Sequence, residues 1–456
     1  MERSGELPGR ARAAGEWIGE VLPELAARHG LPGAQVAVLV DGEVVDAATG
    51  VLNLATGVPV TSEALFQIGS ITKVWTATLV MQLVREGAVD LDRPVSEYLD
   101  RFRLADEAAS RAVTIRQLLS HTGGFDGDIW TDTGRNEDAV RKYVEGLAEA
   151  VQYFAPGERF SYCNSGYMVL GRLVEVLRGK SYNRALREHL ITPLGLTHVA
   201  TCVDEAILAM PAVGHERARP GGLLEPVKKW SLVPATAPVG AMLAMSAREL
   251  LGFVRHHLST PEYNAMRKLQ VEVPEPGLIN GHWGLGWSMP DYGGPVVVGH
   301  SGYTMGQRAF VRVVPDAGVA VAMLTNGGDV YPVFTEVFGH LLHELAGVRQ
   351  PELPSPPENP RPVDANRVVG TYRSSAGDWV VRVDADGRAW VRVSSSDEDE
   401  DEEELELVAL NEDALITLVP QEGRHVVYGL GDADAAGRAR FLRLTGRAIV
   451  RDLVNG

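Results

Sequence analysis

The chain of 456 residues predicts a mixed α/β (α+β) fold: an antiparallel sheet flanked by helices, a helical subdomain inserted into it, and a small β-barrel or sandwich after it. Three observations predict this. Strand-like apolar runs occur near the start, at 34–40 and 43–48, and return at 283–289, 295–300, 306–314 and 318–325. Helix-forming sequence lies between, so one sheet drawn from both ends would enclose a helical part. A stretch at 350–362 carries Pro351, Pro354, Pro356, Pro357, Pro360 and Pro362, an extended, semi-rigid composition that marks a boundary. Beyond it come short alternating runs at 368–373, 379–383, 389–393, 405–410, 414–419, 425–430 and 439–444, whose regular spacing suits a small all-β unit. The expected division is 1–349 for sheet and helices, 350–363 for the linker and 364–456 for the β unit.

The elements follow in order. Ala13, Trp17, Ile18, Val21, Leu22 and Leu25 recur at helical spacing and stop before Gly30. Asp41-Gly42 between the first two runs is a strong hairpin signal. Residues 71–86 are apolar nearly all round (Val74, Trp75, Leu79, Val80, Leu83, Val84) and end at Gly87. A helix apolar on every side is buried, and a buried helix is a rigid support for a reactive group at its start. Further helices are expected at 114–120, 137–151, 165–178, 182–189, 246–257 and about 333–346. There is no internal repeat.

Composition excludes several function classes. The chain is 45% hydrophobic and 23% charged, as globular proteins are, with a net charge of −17. That sign argues against nucleic acid or an anionic membrane as partner. Eight consecutive acids at 397–404 read as a solvated loop. Two cysteines, Cys163 and Cys202, make no disulfide framework. The opening residues hold no apolar run of signal-peptide type, and no stretch approaches the roughly 18 apolar residues of a membrane span; the expected location is the cytoplasm. No Walker loop or G-x-G-x-x-G implies a nucleotide. His256-His257 and His340-x-x-His343 have metal-like spacing without a carboxylate–histidine pattern, so no cofactor and no metal are expected.

The chemistry is carried by Ser70-Ile71-Thr72-Lys73. Serine and lysine three apart share a helix face. A serine hydroxyl needs a neighbour to take its proton, and a lysine whose pKa is lowered by burial can do so. One S-x-x-K is expected by chance in roughly every chain of this length. Here it is followed by Tyr162-Cys163-Asn164 and by His300-Ser301-Gly302 at a strand end. Cys163 would point away from the motif side chains in a locally extended segment and is read as packing.

With these triplets in this order, residues 15–345 resemble the class C β-lactamases and the penicillin-binding-protein-like serine hydrolases, whose pattern is S-x-x-K, Y-x-N and K/H-x-G. Leu118-Leu119-Ser120-His121-Thr122-Gly123-Gly124, Pro193-Leu194-Gly195-Leu196 and the stretch from Tyr303 to Asn326 fit the same habit. His121 is read as structural. The resemblance implies a β-lactamase-like fold with Ser70 as nucleophile and Lys73 with Tyr162 as the proton-handling pair, the tyrosine being easily held as phenolate. It implies an oxyanion site between the N–H groups of Ser70 and Tyr303. Asn164 would donate its amide to the substrate's acyl side chain and accept from Lys73 through its carbonyl. Ser301 and Gly302 would line the site. Where the family mostly has lysine, this chain has His300, shorter and near neutral at pH 7, so a β-lactam carboxylate should bind less well. Val369-Gly370-Thr371-Tyr372 resembles the opening strand of the lipocalin-like barrel appended to some of these hydrolases, where it can border the cleft or mediate assembly.

The expected function is a serine acyl-enzyme hydrolase acting on an ester or an amide/peptide. An acyltransferase or stand-alone peptide cyclase is the alternative, and a non-catalytic binding or sensor protein the second alternative. The implied partners are a small-molecule or peptide acyl substrate and, for transfer, an amine acceptor. Self-assembly into a homo-oligomer stays open.

Overall fold

The computed structural model describes residues 9–217, 221–274, 281–396 and 402–452. The first helix, α1 (Gly9–Arg28), leads into the hairpin β1 (Gly33–Val40) and β2 (Glu43–Gly50). Then follow α2 (Thr72–Arg85), α3 (Asn164–Arg178) and α4 (Ala247–Ser259). Strands β3 (Val271–Val273), β4 (Gly281–Trp283), β5 (Ser288–Pro290), β6 (Val298–Thr304), β7 (Gln307–Val314) and β8 (Val319–Thr325) precede α5 (Val330–Ala346). Together the strands form one sheet in the order β2-β1-β8-β7-β6-β5-β4-β3, with antiparallel pairing throughout.

The first and last strands of this unit pair inside the sheet, second and third from the β2 edge, where Ala34 pairs with Thr325 and Val38 with Val321. All eight residues of β1 are buried because both sheet faces are covered, which is why its run Gly-Ala-Gln-Val-Ala-Val-Leu-Val is almost continuously apolar. α1 and α5 pack on one face; α2, α4 and the helical region lie on the other. The one polar residue of β1, Gln35, is satisfied: its amide donates to the Thr61 and Ala64 carbonyls and its oxygen accepts from Ala247 N–H.

Local differences from the expected elements have local causes. The run 283–289 is split, because the chain turns at Gly284-Leu285-Gly286 between β4 and β5 and Gly286 has φ +88°. Helix 137–151 is shorter, Ala139–Gly146 with a 3-10 turn behind it. The helix at 114–120 is Ile115–Leu119, started by a capping box of Thr114 and Gln117.

After residues 351–364, which form neither helix nor strand, and a single turn of helix at Ala365–Val368, eight strands close a barrel: β9 (Gly370–Ser374), β10 (Gly377–Val383), β11 (Ala389–Ser395), β12 (Glu403–Asn411), β13 (Ala414–Thr417), β14 (Val427–Leu430), β15 (Phe441–Leu444) and β16 (Arg447–Arg451). It is a barrel, not a sandwich, and β16 is the strand the alternation pattern does not reveal. β9 and β16 seal it, with Tyr372 opposite Arg451. The buried Arg451 guanidinium donates to the carbonyls of Arg367, Val369 and Ala439 and to the Tyr372 hydroxyl, holding the chain end against the first strand. Of the acidic run, 397–401 lies outside the described residues, and Glu403-Glu404 open β12. No helix among the described residues is long and apolar enough to cross a membrane.

Candidate active site

Ser70 lies in a 3-10 turn, Gly69–Ile71, that leads directly into α2. α2 is buried from Thr72 to Leu83, as its all-round apolar sequence requires. Two of its threonines are paired: Thr76 with Tyr182 and the Pro238 carbonyl, Thr78 with His257. One turn in, Lys73 is fully buried. Its Nζ donates to Ser70 Oγ at 2.9 Å and to the Val239 carbonyl at 3.4 Å. Burial first, and then the Arg447 guanidinium, push its pKa well below the ordinary lysine value; Asp128 opposes them. An amine so placed is suited to take a hydroxyl proton.

Tyr162 closes the other side. Its ring lies under the Lys73 ammonium, with Nζ 4.9 Å from the centroid, stacks on His121 at 4.3 Å, and meets Trp283 edge-on. Its hydroxyl faces Ser70, yet burial outweighs that contact and raises the phenol's pKa above its ordinary value. Burial thus favours the neutral phenol over the phenolate that the family pattern implies. Cys163 is buried and extended, and its Sγ caps α3 by accepting from Gly166 N–H.

Asn164, the first residue of α3, has a partner that its motif does not announce. Its Nδ2 donates one N–H to the buried Asp128 carboxylate at 2.6 Å, and the Lys73 hydrogen bonds run to Ser70 and Val239.

His300 sits on β6 and is buried. Its Nδ1 is 2.7 Å from the Ser301 carbonyl, so Nδ1 carries the proton and Nε2 keeps a lone pair. Burial and the Lys73 charge push its pKa down to about 3; it is a neutral acceptor where the family's lysine is a cation. Ser301 alternates to the other face of β6, where its hydroxyl lies 3.4 Å from the buried Arg312 guanidinium. Gly302 has no room for a side chain: a Cβ there would lie 1.9 Å from the Ile68 carbonyl oxygen and 3.2 Å from Ser70 N. A Cβ on Gly69 would likewise strike the Tyr303 backbone nitrogen at 2.7 Å. β6 and the Ser70 turn thus touch backbone to backbone, which brings the N–H groups of Ser70 and Tyr303 into one place. The Tyr303 side chain leaves the site and donates to Glu216.

The structure brings together Ser70, Lys73, Tyr162, Asn164, His300, Gly302 and the backbone of Tyr303, and turns the Ser301 and Tyr303 side chains outward. His121, with φ +56°, is buried and accepts the Cys163 N–H on Nδ1, a structural role beside the site. His257 is tied to Thr78, and His340 stacks on Trp17; no group of ligating side chains suited to a metal occurs among the described residues. Sequence reasoning missed Asp128 and the barrel's Arg447, which pair with Nε–Oδ2 2.5 Å across 319 residues. The only signal was two acids, Asp126 and Asp128, close after His121-Thr122-Gly123-Gly124.

An antiparallel sheet covered by helices, a serine–lysine turn against one of its strands and a Tyr-x-Asn segment facing it define the class of the β-lactamases and penicillin-binding proteins. The chain belongs to the β-lactamase family, whose model matches residues 18–341. It is 42% identical over 367 residues to Penicillin-binding protein 4 of Amycolatopsis lactamdurans, covering 77% of this chain and 96% of that protein. Among solved structures, SurE is similar with a TM-score of 0.77 and 29% identity, covering 97% of this chain and 100% of that one, so the match runs through the barrel. SurE with D-Leu matches at a TM-score of 0.72 and 28% identity over the same shares, 97% and 100%. The D-amino acid amidase from Ochrobactrum anthropi SV3 shares the fold at a TM-score of 0.60 and 23% identity, over 69% of this chain and 92% of that one.

Proposed function

We propose that the protein is a serine acyl-enzyme that hydrolyses an ester or an amide/peptide bond through Ser70. The observation that carries this reading is the 2.9 Å contact between Ser70 Oγ and a fully buried Lys73 amine. Lys73 takes the Ser70 proton as Oγ attacks the carbonyl carbon. The oxyanion is held by the N–H groups of Ser70 and Tyr303. The C–O or C–N bond then breaks, the leaving group takes the Tyr162 phenol proton, and the Lys73 ammonium restores it. Water releases the acyl group in the second half. Neutral His300, with Nε2 buried and without a protein partner among the described residues, suits an N–H or O–H of the substrate better than a carboxylate. SurE was solved with D-Leu, which makes D-configured aminoacyl donors the first substrates to try.

A second reading, transfer of the acyl group to an amine, is favoured by one observation: the barrel turn 445–447 lies against the site, where Gly446 O accepts the Tyr162 N–H at 2.8 Å, a position from which it would restrict water. The test is a panel of p-nitrophenyl esters, including D- and L-aminoacyl esters, with and without amines, alongside a fluorophosphonate label. Turnover and labelling that vanish in Ser70→Ala support the acyl-enzyme, and an unlabelled wild type refutes it. An amide product that grows with added amine selects transfer over hydrolysis.

A further inference from the structure

We propose that Asp128 and Arg447 form a positioning pair through which the barrel completes the acyl-transfer site: Asp128 locks the Asn164 side chain, and Arg447 holds Asp128 and covers the Tyr162 ring. This rests on the acyl-enzyme reading and adds to it two residues, one from each half of the chain, that no motif contains.

The geometry is a relay of short contacts. A carboxylate only accepts, so the 2.6 Å contact with Asp128 Oδ1 fixes which side of the Asn164 amide carries Nδ2 and which carries the oxygen. Arg447 binds both oxygens of Asp128, Nε to Oδ2 at 2.5 Å and Nη2 to Oδ1 at 3.3 Å. Its guanidinium carbon lies 4.9 Å from the Tyr162 centroid. The same barrel turn runs along the motif: Tyr162 N–H donates to Gly446 O and Ala448 N–H to Ser161 Oγ at 3.2 Å. A second barrel turn secures the loop that bears Asp128. Ser375 donates its N–H and hydroxyl to the buried Asp126 carboxylate at 3.1 and 2.7 Å, and Tyr153 adds its hydroxyl at 2.9 Å. From behind, Gly127 O accepts Ser165 N–H in the first turn of α3.

Electrostatics gives the pair a second effect. Lys73 is faced by Tyr162, Tyr167, Cys163, His121, His300, Asp128 and Arg447. Burial keeps both tyrosines and the cysteine protonated and both histidines neutral. Asp128 and Arg447 are the ion pair that faces Lys73, and they act on it in opposite directions. The buried Asp128 charge depends on Arg447 for compensation, whereas Arg447 keeps 30% of its side chain exposed to water.

The experiment measures acylation of the full chain by a p-nitrophenyl ester across pH, for Asp128→Ala, Asp128→Asn, Arg447→Met and the Asp128→Ala/Arg447→Met double variant. Asp128→Ala and Arg447→Met should each slow acylation about 10- to 100-fold, with KM changed much less. The double variant should be no slower than the poorer single one. Asp128→Asn, which still offers an oxygen to Asn164, should recover most of the loss seen in Asp128→Ala. The acid limb of the pH–rate profile should move to higher pH in Arg447→Met and to lower pH in Asp128→Asn. Additive losses, or limbs that stay in place or move together, overturn the proposal. If an alanine variant does not fold, the opposed limbs of Asp128→Asn and Arg447→Met decide alone. A wild type that is never acylated refutes the acyl-enzyme reading itself, whereas an acylated wild type with wild-type-like variants refutes only this pair.

Discussion

Replacing Gly302 by alanine tests the backbone contact on which the proposed oxyanion site depends. The new Cβ would lie 1.9 Å from the Ile68 carbonyl oxygen and 2.8 Å from its carbon. Ordinary contact begins near 3.4 Å, so β6 and the Ser70 turn must part by about 1.5 Å to accommodate it. Both are backbone, so no flexible side chain can absorb the shift. The residue that moves with it is Tyr303, the second donor of the proposed oxyanion site. Loss of one such donor costs about 2.7–4 kcal/mol, or about 10²–10³ in rate, and a displacement near 1 Å alone costs about 10². Gly302→Ala should therefore acylate about 10²–10³ times more slowly. Stopped-flow release of p-nitrophenol reads the acylation step, and a melting curve checks that the variant is folded. A folded Gly302→Ala that acylates within about fivefold of wild type refutes the reasoning, because the Tyr303 N–H would then play no part.

His300→Lys should restore a cation on β6 and raise the preference for carboxylate-bearing acyl donors over neutral esters by about tenfold; competition between a fluorescent penicillin and a neutral ester reads the ratio, and an unchanged ratio refutes it. His300 titrates near 6.5 unfolded and at about 3 folded, and His121 and His257 shift the same way. Between those values the unfolded state binds more protons, so stability is full above pH 6.5 and falls as pH drops toward 3, by up to about 1.4 kcal/mol per pH unit for each such histidine; a urea midpoint that stays level from pH 7 to pH 5 contradicts this. Gly370→Ala would place a Cβ 2.1 Å from Arg451 Nη1 and break the seal between β9 and β16, at a cost of about 2–4 kcal/mol; urea unfolding of the full chain measures it.

What was legible in the sequence was what is local. The apolar run after Ser70 announced a buried helix, Asp41-Gly42 a hairpin and the proline cluster a break in regular structure, because each depends on neighbours in the chain. The motif residues were legible as a set because their order repeats a known pattern. Asp128 and Arg447 were not: they lie 319 residues apart, and neither residue type is unusual on a surface. Asn164 illustrates the limit. Its motif was found, but the carboxylate that binds its amide was not, since Asp128 arrives on a loop that Ser375 of the barrel holds through Asp126. The barrel's last strand was hidden for a related reason. Arg447 and Arg451 stand at positions where alternation predicts solvent or core, and tertiary contacts place both against buried groups.

The pairing of the first strand with the last, Ala34 with Thr325, also fixes an order of events in synthesis. β1 leaves the ribosome early, but its partner β8 follows only after the whole helical region and five further strands. At 5–20 residues per second, the gap between the end of α2 and the end of β8 lasts about 12–50 s. Throughout it, β1 exists without its partner β8, and its apolar residues are open to other chains. The barrel is built the opposite way, each strand pairing with the one made just before it. Folding of the sheet should therefore be slow and prone to aggregation, and that of the barrel quick, with chaperone demand concentrated on the half of the molecule that carries Ser70.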